Sequence, residues 1–263
     1  MKTMLLFVGL LLLAVAVVAA RAADDKTPAA DGDARPAASA DRPTPCVPAH
    51  KDPHRHEEFL KDKEARLKKG PIKLVFIGDS ITDAWRVNGS EQNKLFNERW
   101  GKYNPLNLGI SGDKTEHVLW RLEHGELDDL AETVKGVVIM IGTNNLGNPP
   151  RATAEDTAKG VECVVKSVRK KLPEAKVLLL AVFPRGMAAD DPYRAQIKTI
   201  NDTIAKLDDG KHVRYLDIGK KFLEDDGTLP KSIMPDALHP NAKGYQIWAD
   251  AIDEAVKEMV GGA

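Results

Sequence analysis

The sequence predicts an α/β protein in which a parallel sheet lies between two layers of helices. Two observations point there. Five short apolar runs, at residues 74–77, 106–108, 137–141, 177–182 and 213–216, are continuous rather than alternating, as expected of strands covered on both faces. Segments with helical spacing separate them, 154–171 and 193–207 most clearly, and 242–259 closes the chain. Strand and helix in alternation give a three-layer α/β/α sandwich, whose ligands bind beyond the carboxyl ends of the strands.

Taken in order, the chain opens with Lys2, an apolar run from Met4 to Val18, and the small residues of Ala20-Arg21-Ala22. This is the pattern of an export signal over 1–22, since the run is shorter than the roughly 20 residues a bilayer span needs. Residues 23–50 are rich in Ala, Asp and Pro and nearly lack bulky apolar side chains, so they read as a disordered tether. The folded domain is then 51–263, periplasmic or extracellular, with no membrane insertion after the signal is removed. Export puts Cys46 and Cys163 where a disulfide is allowed, but one lies in a Pro-rich stretch and the other in a helix pattern, and they are read as unpaired thiols. Residues 54–69 suit a short amphipathic helix, with His54 and His56 facing solvent rather than holding a metal.

A chain of 263 residues, 43% hydrophobic and 29% charged, supports one core. Lys and Arg total 38 against 39 for Asp and Glu, so no overall field favours nucleic acid or an anionic membrane.

The candidate chemistry sits at the ends of the apolar runs. Gly78-Asp79-Ser80 after the first would place Ser80 at a helix N-terminus, its hydroxyl facing the cleft and its N–H free for an oxyanion; an ordinary serine cap reads the same way. After the second, Gly109-Ile110-Ser111-Gly112-Asp113 lets backbone approach a ligand, with Gly112 offering another N–H, although a plain turn needs the same glycines. After the third, Gly142-Thr143-Asn144-Asn145 offers the Asn144 amide. Near the C-terminus, Asp236 precedes His239 by three residues between Pro235 and Pro240, and one loop can present a base and the carboxylate that orients it. Singly each motif is weak. Together, in the order Ser, Asp, His, they meet the requirements of acyl transfer, and the lack of a G-x-S-x-G elbow argues against the α/β-hydrolase fold.

These blocks resemble the SGNH (GDSL-type) hydrolase family, with Ser80, Gly112, Asn144 and His239 at the four named positions. The likeness covers most of the chain after residue 50. It is nearest to the platelet-activating-factor acetylhydrolase Ib catalytic-subunit-like esterases of bacteria, on the blocks His117-Val118-Leu119-Trp120-Arg121-Leu122, Gly125-Glu126-Leu127, Gly142-Thr143-Asn144-Asn145 and Phe183-Pro184-Arg185-Gly186. The resemblance implies a flavodoxin-like sheet of five parallel strands, no metal or organic cofactor, an acyl pocket crowded by Ile81, Thr143 and Leu238, and room for a homodimer. It further implies hydrolysis of short-chain esters, which for an exported enzyme points to acetylated carbohydrate. The alternatives are a lipid acetylhydrolase, a broader lipase or thioesterase, and a non-catalytic carbohydrate-binding protein, the last of which should show a damaged triad. Among other residues, Trp120 reads as core with Leu119 and Leu122, Trp248 and Ile252 as the inner face of the last helix, and Arg185 as a rim residue open to a leaving group or a salt bridge.

Overall fold

The computed structural model describes residues 45–149 and 151–261. The expected export signal, and the expected tether up to residue 44, lie outside them. Five strands form one all-parallel sheet: β1 (Leu74–Gly78), β2 (Leu106–Gly109), β3 (Gly136–Met140), β4 (Lys176–Leu180) and β5 (Val213–Leu216), in the order β2-β1-β3-β4-β5. This is the expected flavodoxin-like arrangement. The order reverses between β1 and β3, where such sheets open a crevice at their carboxyl ends.

The helices are α1 (Pro53–Lys69), α2 (Ser80–Asp83), α3 (Glu91–Trp100), α4 (Thr115–Glu123), α5 (Thr143–Gly147), α6 (Ala154–Lys171), α7 (Pro192–Ile204) and α8 (Ala242–Gly261). Their starts follow capping chemistry. Asp52 accepts the Arg55 N–H ahead of Pro53, Thr153 accepts the Asp156 N–H, and Asp191 accepts the Tyr193 N–H ahead of Pro192.

Side chains alternate across each strand and build two unlike cores. Val75, Ile77, Val137, Ile139, Val177 and Leu179 face aliphatic residues of α4, α6 and α7. Leu74, Phe76, Val138, Met140, Leu178 and Leu180 face an aromatic cluster in which Trp85, Trp100, Tyr245 and Trp248 stack around α3 and α8. Trp248 and Ile252 lie fully inside, as their spacing predicts.

Three departures from the sequence reading have physical causes. Strand β4 stops at Leu180 rather than at residue 182. The Val182 N–H and carbonyl are instead taken by the side chain of Asn201 on α7, at 2.9 and 3.0 Å. The second departure is β5, which is an edge strand with Arg214 exposed rather than a strand covered on both faces. Its outward N–H groups are occupied by carboxylates, Val213 N–H donating to Asp209 and Tyr215 N–H to Asp208, both at 2.9 Å.

The third is the segment before α1. Pro45 is buried, its carbonyl accepts the Thr115 hydroxyl at 3.0 Å, and Ala49 N–H donates to the Glu116 carbonyl at 3.0 Å. Packed this way across α4 and α6, the strap brings Cys46 to Cys163, Cα atoms 5.7 Å apart, and the two form a disulfide rather than staying free thiols. The proline content that reads as tether ends in ordered structure at 45–50, ahead of the expected boundary. Among the described residues no helix is long and apolar enough to cross a membrane.

Candidate active site

Ser80 opens α2 directly after β1, where the helix leaves its N–H unbonded within the helix. The turn is set by Asp79, whose Oδ1 accepts the Ile81 N–H at 3.0 Å. The tip of β2 presses on this turn. A Cβ at Gly109 would lie 2.3 Å from the Asp83 nitrogen, so glycine is required there by close backbone approach. The Asn107 amide adds a bond to the Thr82 carbonyl at 2.8 Å, and Tyr245 Oη donates to the Ile81 carbonyl at 2.7 Å, tying α8 to α2.

His239 arrives from the far end of the chain. Its Nε2 lies 2.8 Å from Ser80 Oγ, and its Nδ1 lies 2.6 Å from Asp236 Oδ2. The loop closes because Asp236 Oδ1 also accepts the N–H groups of Leu238 and His239, at 3.0 and 2.7 Å, around Ala237 at φ 63°. Gly186 N–H donates to the Ala237 carbonyl at 3.0 Å and braces the bend. The slight desolvation of Asp236 pushes its carboxyl up, but the His239 and Leu238 N–H groups and the imidazole outweigh it and hold the carboxyl below the usual range. It is therefore ionised wherever an imidazole needs it.

The two remaining loops are joined to each other. Gly112 adopts φ 75° after β2, a left-handed conformation that suits glycine. One residue on, the Asp113 carbonyl accepts the Asn144 side-chain N–H at 3.0 Å. Beside it, Asn145 accepts the Thr115 N–H at 3.1 Å and donates to Glu116 at 2.9 Å. The ends of β1, β2 and β3 thus lie at the topological switch, with the expected Ser80, Asp236 and His239 joined in one hydrogen-bonded set and the loops of Gly112 and Asn144 joined through Asp113 in another. Of the expected acyl-pocket residues, Ile81 and Thr143 are buried and Leu238 is half-buried beside His239.

Several residues carry more than their sequence showed. Asp113 is buried and ion-paired to Arg121 Nε at 3.0 Å and to Lys51 Nζ at 3.2 Å; Arg121 pairs in turn with Glu126, and Glu126 with His56 at 3.2 Å. His56 is therefore a buried partner and not a solvent-facing residue. Burial raises the Asp113 carboxyl despite the opposing Arg121, Lys51 and His117. Asp79 is fully buried, its second oxygen has no partner, and burial pushes it up to about 7. Trp120 is half-buried outside the core, stacked on His124 at 3.8 Å with His50 against it at 4.2 Å. Arg185 makes no salt bridge among the described residues: its Nη1 donates to the Thr143 carbonyl at 3.0 Å and the Thr143 hydroxyl at 3.2 Å, over the Tyr193 ring. The charged residues among the motifs, Asp113, Arg121 and Glu126, were the available signal, since charges embedded in apolar helical spacing are buried only when paired. Among the described residues no group of His, Cys, Asp and Glu is placed to hold a metal ion.

The sequence profile of the GDSL-like lipase/acylhydrolase family matches residues 76–247, a span that holds every one of these loops. The chain belongs to this family. The family member platelet-activating factor acetylhydrolase IB subunit alpha1 of Bos taurus is 35% identical over 221 residues, 81% of this chain and 86% of its own length. The alpha2 subunit of Gallus gallus is 32% identical over 206 residues, 78% and 83%. Among solved structures, an acetyl xylan esterase aligns with TM-score 0.59 and 25% identity over 70% of this chain and all of its own. A GDSL-like lipase from Bacteroides thetaiotaomicron, at 20% identity, shares the fold with TM-score 0.58 over 77% of this chain and 98% of its own. As a GDSL acylhydrolase the protein hydrolyses ester bonds.

Proposed function

We propose that this acylhydrolase is an exported serine esterase that removes short acyl groups, acetyl foremost, from carbohydrate hydroxyls. One observation carries the catalytic assignment: Ser80 Oγ, His239 and Asp236 form an unbroken hydrogen-bonded relay of 2.8 and 2.6 Å. In this reading His239 Nε2 takes the proton of Ser80 as Oγ attacks the ester carbonyl. The oxyanion is met by the N–H groups of Ser80 and Gly112 and by the second amide hydrogen of Asn144, the first being committed to Asp113. The imidazolium, stabilised by Asp236, gives its proton to the departing alkoxide. Water deprotonated by His239 then attacks the acyl-enzyme, the carboxylic acid leaves, and Ser80 regains its hydrogen. A complete relay counts against a non-catalytic binding protein.

The preference for small acyl groups rests on walls that do not yield. Ile81 is buried and its carbonyl is held by Tyr245, Thr143 is fixed by Arg185, and Leu238 closes the side next to His239. Carbohydrate is favoured over lipid because, among the described residues, Val47 and Val87 are the large apolar side chains left mostly exposed, whereas a long alkyl leaving group needs a contiguous apolar surface. The acetyl xylan esterase likeness points the same way. A lipid acetyl ester is the second reading, favoured by relatives named for platelet-activating factor. Export is supported by the leader-like 1–22 and by the Cys46–Cys163 disulfide, a bond of oxidising compartments.

The test is release of acid from acetylated sugars and polysaccharides, beside acetyl and octanoyl esters of one alcohol, by wild type and Ser80→Ala. Acetate from a sugar, with loss of at least about 10³-fold in the variant and a poor octanoyl rate, is the expected result. An active Ser80→Ala ends the catalytic reading, and cleavage confined to phospholipid acetyl esters ends the carbohydrate one.

A further inference from the structure

We propose that Lys51 positions the oxyanion loop and that the Cys46–Cys163 disulfide keeps it there, so that reducing this bond switches the esterase down. The inference rests on the acyl-transfer reading above. Lys51 Nζ donates to the Ser111 carbonyl at 2.5 Å and to Asp113 Oδ1 at 3.2 Å, and lies 3.2 Å from where a Cβ on Gly112 would be. The Ser111 carbonyl and the Gly112 N–H belong to one peptide plane. In a trans peptide they point in opposite directions, so a cation that pins the carbonyl on one side aims the N–H on the other. Gly112 at φ 75° has no Cβ to fix that plane sterically. The ammonium also polarises the amide, which strengthens the N–H as a donor to an oxyanion.

What holds Lys51 is the strap at 45–52. It has no helix or strand of its own. Hydrogen bonds attach it to α4, Pro45 carbonyl to Thr115 and Ala49 N–H to Glu116, His50 packs on Trp120, Asp52 caps α1, and the disulfide attaches it to α6. These few contacts only partly offset the entropy of ordering eight residues, and the covalent link supplies the rest of the hold on the strap ahead of Lys51. Cys46 and Cys163 are only half-buried and line an open surface pocket with Lys166, Lys170 and Lys171. Lys166 and Lys171 are paired there with Glu162 and Asp128, and Glu123 lines the same pocket, so Lys170 is the cation that attracts an incoming thiolate and stabilises the departing one.

The step uses a dithiol as reductant. Its thiolate attacks one sulfur of the pair, a mixed disulfide forms as the other cysteine leaves, and the second thiol closes a ring to release the first. Two electrons and two protons pass to Cys46 and Cys163, and the dithiol becomes a cyclic disulfide.

The experiment follows hydrolysis of a simple acetyl ester by the full chain, oxidised and after dithiothreitol, in wild type, Lys51→Met, Lys51→Arg and Cys46→Ser/Cys163→Ser. Reduction should lower kcat about tenfold or more, short of the 10²–10³ for outright loss of an oxyanion donor, with KM within about twofold, and reoxidation should restore it. Oxidised Lys51→Met should show the same lowered kcat and no further response to dithiol. Lys51→Arg should recover most of the rate, and the double cysteine variant should be low with or without reductant. A reduced wild type with unchanged kcat, or a fully active Lys51→Met, overturns the inference. Amide hydrogen exchange across residues 110–114 gives a readout apart from catalysis: it must accelerate on reduction, and unchanged exchange overturns the proposal even if the oxidised protein has no Ser80-dependent rate, a result that by itself would refute only the acyl-transfer reading.

Discussion

Asn144 is held by the backbone of Asp113, whose carbonyl accepts its side-chain N–H at 3.0 Å, while the Asp113 carboxylate is anchored 3.0 Å from Arg121. The loop of Gly112 and Asn144, the proposed oxyanion side of the site, therefore stands on a buried ionic network that reaches through Glu126 to His56 on α1.

Arg121→Met should remove the centre of that network and leave the buried Asp113 with Lys51, and Glu126 with His56 alone. Such a loss costs about 3–5 kcal/mol. Denaturant unfolding should show it as a lower midpoint, and kcat should fall in the protein that remains folded, because Asp113 no longer fixes Asn144. A stability loss below about 1 kcal/mol would mean that the charges are solvated after all.

The bend at Ala237 gives a second expectation. A non-glycine residue at φ 63° is strained by roughly 1 kcal/mol, and the strain is what lets Asp236 bond both to the loop and to the imidazole. Ala237→Gly should be within about 1 kcal/mol of wild type, relief of strain offsetting the added chain entropy, with activity retained. Ala237→Val, β-branched where φ is positive, should lose about tenfold or more in kcat as Asp236 and His239 move apart. Equal rates in the two variants would show that the bend is not needed.

Asp79 sets a pH dependence. Burial pushes its carboxyl up to about 7 in the folded protein, against 3.8 for an ordinary aspartate. Between those values the folded protein holds a proton that the unfolded chain releases, so the group penalises folding increasingly from about pH 4 to pH 7 and at a constant level above. Asp79→Asn keeps the capping oxygen and carries no charge. The Tm of this variant relative to wild type should rise between pH 5 and pH 8; a difference that is the same at both ends would place the proton elsewhere.

Much of this was legible from residue patterns. Helix 154–171 emerged at its observed bounds because its Thr153 cap and apolar spacing agree, and the parallel sheet follows from the buried apolar runs, whereas its flavodoxin-like arrangement was implied by the family resemblance alone. Ser80, Asp236 and His239 were legible because each sits at a turn that its neighbours demand. Helix α3 was less so: Glu91–Trp100 offers Phe96 and Trp100 as its buried residues, among charges. The disulfide was hidden because its partners are 117 residues apart and the strap has no pattern of its own. Trp120 misled for a related reason. Its spacing matches core neighbours, but it is covered by His124 one turn on and by His50 and His56 from two other segments, and the last two contacts are not encoded in local periodicity.

The carboxylates on β5 have a consequence at the level of the solution. Asp208 and Asp209 occupy the N–H groups that an incoming strand from another molecule would need. Backbone donors, first that of Val213, hold Asp209 at about 2, so Asp209 keeps its charge at every acidity short of strong acid. Strand addition along that margin is therefore hindered at the Val213 N–H in mildly acidic and neutral surroundings alike, by a residue far from the chemistry.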